Sequence, residues 1–287
     1  MNYDKASILK AYADSLEGRC PQYITHARRF LDRASGFERE DIDQYIETLR
    51  QEEYSDGTIN LIFRIIKRMF KVNNIPFPYA YRETPRVEVA FKPSLDKAVI
   101  TAMIRAAKKG ELNPIETFYL CMSTLYGLRA GELAALDSRD INIDNGTIFV
   151  HTLKGGRQKY HSIPEGCERW LNVRVRQTST NRLARIYRRI ERKVGMTHYE
   201  GVAWHAIRRT LVQELVFAGV NQYVINDFLR WSNRKTDLVG WYFQSQAVGM
   251  EGIKIGPGSR DSKSDHEVFA VHPFVKEWQD NASEEAR

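Results

Sequence analysis

Residues 127–133 read Gly-Leu-Arg-Ala-Gly-Glu-Leu. On a helix, Arg129 and Glu132 fall at i and i+3, on one face. The pair reads either as a phosphate-binding arginine held by a glutamate or as a surface ion pair. Upstream, Asn113-Pro114 opens a helix through Phe118, Leu120, Met122 and Leu125, and Ser94 caps another over Leu95 to Lys108 that Gly110 ends. Downstream, Ile141-Asn-Ile143, the turn Asp144-Asn145-Gly146 and Thr147 to Thr152 make a hairpin with an Asn-Gly turn. Gly155-Gly156 turns the chain into a further strand near Tyr160 to Ile163, which Pro164 ends. Helices are predicted over about 169–175, 181–194, 204–218, 221–229 and 236–244.

Further outward lie four more places where chemistry can sit. Lys154, in Leu153-Lys-Gly-Gly-Arg157, rides on the two-glycine turn, where a lysine is either presented to a phosphate or simply solvated. In Trp204-His-Ala-Ile-Arg-Arg209, His205 and Arg208 share one helical face and can grip two oxygens of one phosphate. Trp231 follows Leu229-Arg230; its indole N–H is a donor only, so it either reaches a phosphate oxygen or fills the core. Tyr242, in Gly240-Trp-Tyr-Phe243, is a nucleophile or core filling.

The first part of the chain is helical by periodicity: about 6–16, 23–31, 40–50 and a fourth stretch after Ser55-Asp56-Gly57. The fourth carries Ile59, Ile62, Ile66 and Phe70 on one face and Arg64, Lys67, Arg68 and Lys71 on the other, which suits a DNA clamp as well as a plain bundle. Prolines then punctuate residues 76–93 as a linker. The chain has 287 residues, is 43% hydrophobic and carries a net charge of +7. The charge is concentrated: Thr152 to Lys193 holds twelve Lys/Arg against three acids, which reads either as a footprint of nucleic-acid binding or as a solvated basic helix. No apolar run approaches the ~20 residues of a bilayer span, and the mixed, charged N-terminus is no secretory signal. Cys20, Cys121 and Cys167 are scattered, with no CxxC or HExxH spacing, so neither a disulfide framework nor a metal site is expected.

Taken in order, Arg129, Lys154, His205-x-x-Arg208, Trp231 and Tyr242 resemble the tyrosine recombinase, or phage integrase, family. Residues 127–133 are similar to its first arginine box, Lys154 to its β-hairpin lysine, and residues 205–209 to its His-x-x-Arg box. Trp231 stands where most members have histidine and the Cre type has tryptophan; Tyr242 stands at the nucleophile. The resemblance covers about 92–248. It departs from the pattern in three places. Trp231 to Tyr242 is eleven positions, longer than usual; Arg230 replaces a customary glycine; and the long stretch from Lys154 to Pro164 leaves Lys159 as a second-choice lysine. Tyr223 is the fallback nucleophile.

The resemblance implies a mainly α protein with a small antiparallel β meander. A four-helix, SAM-like core-binding domain (1–75) and linker (76–93) precede an α+β catalytic domain (94–250) and a tail (251–287). It implies a site-specific recombinase that cleaves and rejoins DNA through a 3′-phosphotyrosyl link, with no metal or other cofactor. Arg129 and Arg208 would clamp the phosphate, Glu132 would support them, His205 would aid proton transfer, Trp231 would add a donor, and Lys154 would protonate the leaving 5′ oxygen. Arg64, Lys67, Arg68, Lys71, Arg157, Lys159 and Arg209 would bind DNA. The implied partners are double-stranded recombination sites and, on synapsed DNA, three further copies of a chain that is monomeric when free, in the cytoplasm at the nucleoid. A type IB topoisomerase or a non-cleaving regulator descended from a recombinase are the alternatives; relaxation without synapsis would mark the first and failure to trap an adduct the second. The lack of an arm-binding segment ahead of Met1 fits a simple recombinase. In the tail, Val271, Phe274, Val275 and Trp278 fall at i, i+3, i+4 and i+7, with Pro273 in the first turn. This face should dock, on a neighbouring protomer or on its own domain; the former is the expectation.

Overall fold

A computed structural model describes residues 4–17, 21–80, 83, 93–152, 158–199, 202–231 and 264–279. The chain divides into two compact units, residues 1–90 and 91–287.

The first unit packs α1 (Lys5–Asp14), α2 (Pro21–Arg33), α3 (Arg39–Gln51) and α4 (Asp56–Val72) around one apolar core. Two of these helices, α1 and α4, begin where a side chain takes up orphan amide protons: the Asp4 carboxylate accepts from Ala6 and Ser7, and the Ser55 hydroxyl from Thr58. Tyr12, Phe30, Ile42, Leu49, Ile62, Ile66 and Phe70 are fully buried. The core continues past Asn74. Phe77 and Tyr79 pack edge-on against Phe63, Tyr79 donates to Asp43 at 2.8 Å, and Glu83 pairs with Arg39 at 3.0 Å. The start of the predicted linker is therefore part of this unit, because its aromatics cover the end of the α3/α4 core.

In the second unit α5 (Lys97–Lys108) is capped by Asp96, not Ser94; the Asp96 carboxylate, two residues nearer the helix, accepts from the Ala98 amide at 2.7 Å. The helix α6 (Pro114–Tyr126) is buried along its whole length from Glu116. Asn113 and Glu116 form a reciprocal cap at its start, and Gly127, left-handed at φ +55°, ends it. Then come α7 (Ala130–Ala135) and the sheet β1 (Ile141–Asn142), β2 (Thr147–Val150) and β3 (Lys159–Ser162), antiparallel in the order β1-β2-β3. Ile148 faces His161 across the β2/β3 ladder.

The helix predicted over 169–175 is one turn, α8 (Glu168–Leu171). Beyond it Val175 pairs with Ser138 instead, its amide donating to the hydroxyl at 2.7 Å and its carbonyl accepting from it at 2.9 Å. Next are α9 (Thr180–Lys193), α10 (Trp204–Phe217) and α11 (Gln222–Phe228). At the start of α6 the buried Glu116 carboxylate receives Arg189 (2.9 Å) and Lys193 (2.7 Å) from α9, which fixes that basic helix to the core. The helix predicted over 236–244 lies outside the described residues.

The C-terminal segment departs from expectation. It forms α12 (Ser264–Val271), a break at His272–Phe274 and the single turn α13 (Val275–Trp278). Pro273 splits the predicted continuous face, and Val271 points outward at 45% exposure. Phe274, Val275 and Trp278 do dock, but on this chain's own domain. The Trp278 indole donates to the Thr124 hydroxyl (2.8 Å), and the Trp278 carbonyl accepts from the Trp170 indole (2.9 Å). The expectation from sequence is a neighbouring protomer; in the single chain α5, α6 and α8 offer a matching apolar seat in cis.

Candidate active site

Gly127 is where the site begins. Its left-handed turn ends α6, carries the chain away and leaves Arg129 as the residue before α7, with φ −70° and ψ 153°. Arg129 and Glu132 are thus not two residues of one helical face. Arg129 is the extended N-cap, and Glu132 reaches back to it from the third helical position. The Glu132 carboxylate accepts from the Arg129 amide at 2.8 Å and from its guanidinium at 2.7 Å. Glu132 is 1% exposed.

Two more arginines converge on that carboxylate from distant parts of the chain. Arg208, on the first turns of α10, approaches to 4.0 Å, and Arg230, just after α11, to 3.1 Å. Burial opposes the charge on Glu132, but Arg230, Arg208 and Arg129 outweigh it and hold the carboxyl below the usual range. Three guanidiniums around one carboxylate leave a formal excess of two positive charges, which suits a phosphodiester and the further charge that develops when it is attacked.

Arg208 is fully buried. Its guanidinium donates to the Gly127 carbonyl and, at 3.0 Å, to the Leu229 carbonyl, so it ties the end of α6 to the end of α11. It lies 5.2 Å from the Trp231 ring centroid, within cation–π range. Trp231 is 3% exposed, so its ring supports Arg208 from beneath.

His205 stands at the second position of α10. Trp204 anchors that turn by donating its indole N–H to the Leu183 carbonyl at 3.0 Å. The His205 pKa is drawn down to about 4, first by partial withdrawal from water and then by Arg208, Arg209 and Arg129. Since His205 is exposed, the cationic neighbours are the firmer cause. An arriving phosphate would cancel that field and raise the pKa again.

The structure therefore brings Arg129, Glu132, His205, Arg208 and Trp231 together. Lys154, Arg157 and Tyr242 lie outside the described residues. Lys159 heads β3 and is neutralised locally, its ammonium 2.7 Å from Asp227 and 3.2 Å from Asp265. Arg209, expected on DNA, is 6% exposed and donates through Nε to the Pro93 carbonyl at 2.8 Å, where it braces the entry to α5. Arg64, Arg68 and Lys71 are exposed on α4 as expected, and Lys67 is half-buried with its ammonium 5.6 Å from the Phe77 ring centroid. Tyr223 is 59% exposed on α11.

Sequence reasoning passed over Arg230, His161 and Asp265. Arg230 was visible as a departure from glycine, and its φ of +60° shows why glycine suits the position. Nothing in the sequence links His161 to Asp265, which lie 104 positions apart.

No protein-family profile matches the chain. Among curated proteins it is 23% identical over 257 residues to tyrosine recombinase XerA of Pyrococcus furiosus, covering 81% of this chain and 88% of the relative. It is 22% identical over 252 residues to tyrosine recombinase XerA of Thermococcus kodakarensis, covering 79% and 86%. Among solved structures, a lambda integrase tetramer bound to a Holliday junction superposes with a TM-score of 0.65 at 14% identity, covering 88% of this chain and 80% of that one. A lambda integrase dimer bound to a core site gives a TM-score of 0.63 at 15% identity, covering 88% and 99%. In sequence and in fold, this chain is similar to tyrosine recombinases. The topoisomerase and regulator alternatives are not favoured.

Proposed function

We propose that this chain is a site-specific DNA recombinase. It cleaves and rejoins strands through a covalent 3′-phosphotyrosyl intermediate, with Tyr242 as the nucleophile. The observation that carries the reading is the meeting of Arg129 and Arg208, from opposite ends of the catalytic unit, at the buried Glu132, with His205 beside them.

In this reading Arg129 and Arg208 bind the two non-bridging phosphate oxygens and neutralise the pentacoordinate transition state. The free tyrosine, of pKa ~10, is mostly protonated at neutral pH. It gives up its proton as it attacks phosphorus, with His205, neutral before DNA arrives, as the neighbouring acceptor. Lys154 protonates the departing 5′ oxygen; such acid–base help is worth ~10²–10⁴-fold. The 3′-phosphotyrosine keeps the bond energy, and a 5′-hydroxyl from a partner strand reverses the step. Double-stranded recombination sites are the partners, four chains assemble on synapsed DNA as in the lambda integrase structure, and the protein works at the nucleoid. Arg64, Lys67, Arg68 and Lys71 contact the DNA backbone.

A suicide substrate, nicked so that the 5′-hydroxyl diffuses away, tests the reading. A covalent protein–DNA band that survives denaturation, forms in EDTA and maps to Tyr242 is the expected result. No adduct on any cognate site, or one that requires Mg²⁺, overturns it.

A further inference from the structure

Behind the arginine pair runs a line of buried polar groups outside the family's set of boxes. Arg230 donates through one terminal nitrogen to His161 Nε2 at 2.8 Å and through the other to Glu132 at 3.1 Å. Its charge sits at 0% exposure on a left-handed backbone, φ +60°. A non-glycine residue is strained there and persists only where its surroundings demand it. An arginine can only donate, so His161 Nε2 must be the acceptor and its proton must sit on Nδ1. Nδ1–H then donates to the Asp265 carboxylate, 3.2 Å away at the start of α12. Asp265 is held in turn by the Ser162 amide (3.0 Å) and Lys159 (3.2 Å).

Glu132 shows what this line does. One of its oxygens, Oε1, receives the Arg129 guanidinium; the other, Oε2, receives the Arg129 amide and Arg230. Arg208 lies 4.0 Å from that same Oε2. Were Arg230 absent, Oε2 would be under-coordinated in a site shut off from water, and the nearest cation able to satisfy it is Arg208. Arg208 would then be drawn onto Glu132 and away from a phosphate.

We propose that Asp265, His161 and Arg230 are positioning residues for the recombination site: Asp265 orients His161, His161 orients Arg230, and Arg230 occupies Glu132 so that Arg208 keeps its place on the Gly127 and Leu229 carbonyls. The inference rests on the recombinase reading above. It makes the cis-docked C-terminal helix, through Asp265, part of the machinery that sets the arginine clamp.

The test uses the full chain and three variants, Arg230→Gly, Asp265→Ala and the double variant. Single-turnover adduct formation is followed at saturating suicide substrate, well below every variant's melting temperature, and DNA affinity is measured separately. Arg230→Gly removes the cation and leaves a residue that favours the backbone conformation. Its cleavage rate should fall by between about tenfold and about a hundredfold, as misplacement of a phosphate ligand does, with DNA affinity unchanged. Asp265→Ala should lose less, and the double variant should be no slower than Arg230→Gly, because the effect of Asp265 passes through Arg230. A wild-type rate in Arg230→Gly, losses that add, or a fall in affinity that accounts for the fall in rate would each overturn the proposal. An arm that needs no reaction reads the His161 ring by nitrogen NMR. A neutral Nδ1–H tautomer at pH 7 that is lost in Asp265→Ala is expected; an Nε2–H tautomer in the wild type overturns the line. If the wild type forms no adduct, the recombinase reading fails, and the hydrogen-bonded line still stands or falls on the NMR arm.

Discussion

Arg208 joins two helix ends and supplies a phosphate ligand with the same guanidinium, and the two duties separate by substitution. Arg208→Ala removes bonds to the Gly127 and Leu229 carbonyls in a dry site, so it should lower stability by about 3 kcal/mol as well as abolish cleavage. Arg129 is less enclosed, with 29% of its side chain exposed, and Glu132 keeps Arg230 when Arg129 is lost. Arg129→Ala should therefore slow adduct formation by about a hundredfold or more while the melting temperature hardly moves. Thermal melts beside single-turnover cleavage check both; cleavage within tenfold of wild type removes that arginine from the site. At the nucleophile, Tyr242→Phe should bind cognate DNA normally and form no adduct, and Tyr223→Phe should form adduct at the wild-type rate. The reverse pattern on a suicide substrate would move the nucleophile to α11.

At the scale of elements, the α6–α7 junction is the tightest constraint. A Cβ on Gly127 would lie 2.9 Å from a Leu229 methyl and 3.1 Å from a Leu211 methyl, on a backbone at φ +55°. Gly127→Ala should destabilise the catalytic unit by about 1–3 kcal/mol, with the Leu229 and Leu211 side chains forced to give way. Chemical denaturation of the variant checks it. Two buried histidines set an acid limit on the packing of α12 and α13. His161 is drawn down from 6.5 to about 4, first by burial, with Arg230 and Lys159 adding to the effect against Asp265. His272 falls to about 3 by burial, although the Leu125 carbonyl 3.0 Å from its Nε2 favours the proton. A histidine with a depressed folded pKa takes up its proton more readily when unfolded. The stability these groups lend is complete above about pH 6.5 and is lost as pH falls from there towards 4 and then 3. Melting temperature should drop over that window, and less so in His272→Gln; a flat profile between pH 6.5 and 4 would contradict the burial of both rings.

For the whole molecule, the C-terminal segment is structural. Trp278 is fully buried and hydrogen-bonded to Thr124, and Lys108 donates to the carbonyls of Glu277 (3.2 Å) and Gln279 (2.9 Å). Trp278→Ala should cost about 3–5 kcal/mol, and removal of residues 264–287 should lower the melting temperature of the catalytic unit before any effect on assembly is seen. A truncated chain that melts like the full one would show that the segment belongs on a neighbour. DNA affinity of the full chain should fall steeply with salt, because binding by a basic surface releases counterions from the phosphate backbone; a salt-insensitive affinity on titration would remove that surface from the interface.

The sequence by itself determined what is local or periodic. Most helix positions followed from apolar spacing and the β1–β2 hairpin from Asn145-Gly146; Arg129 and Glu132 were legible as partners, though as one helical face and not as the cap they form. The order of the boxes was enough to carry the resemblance to the tyrosine recombinases. Tertiary structure alone decided which charges face which. That Arg209 binds the Pro93 carbonyl depends on the rotation of α10 against a segment 116 positions away. That Arg230 reaches Glu132, and that Asp265 and His161 meet, depends on three separate stretches closing on one water-free centre. Periodicity says which residues turn inward. It does not say which buried charge finds which partner, because desolvation makes that choice only once the chain has packed.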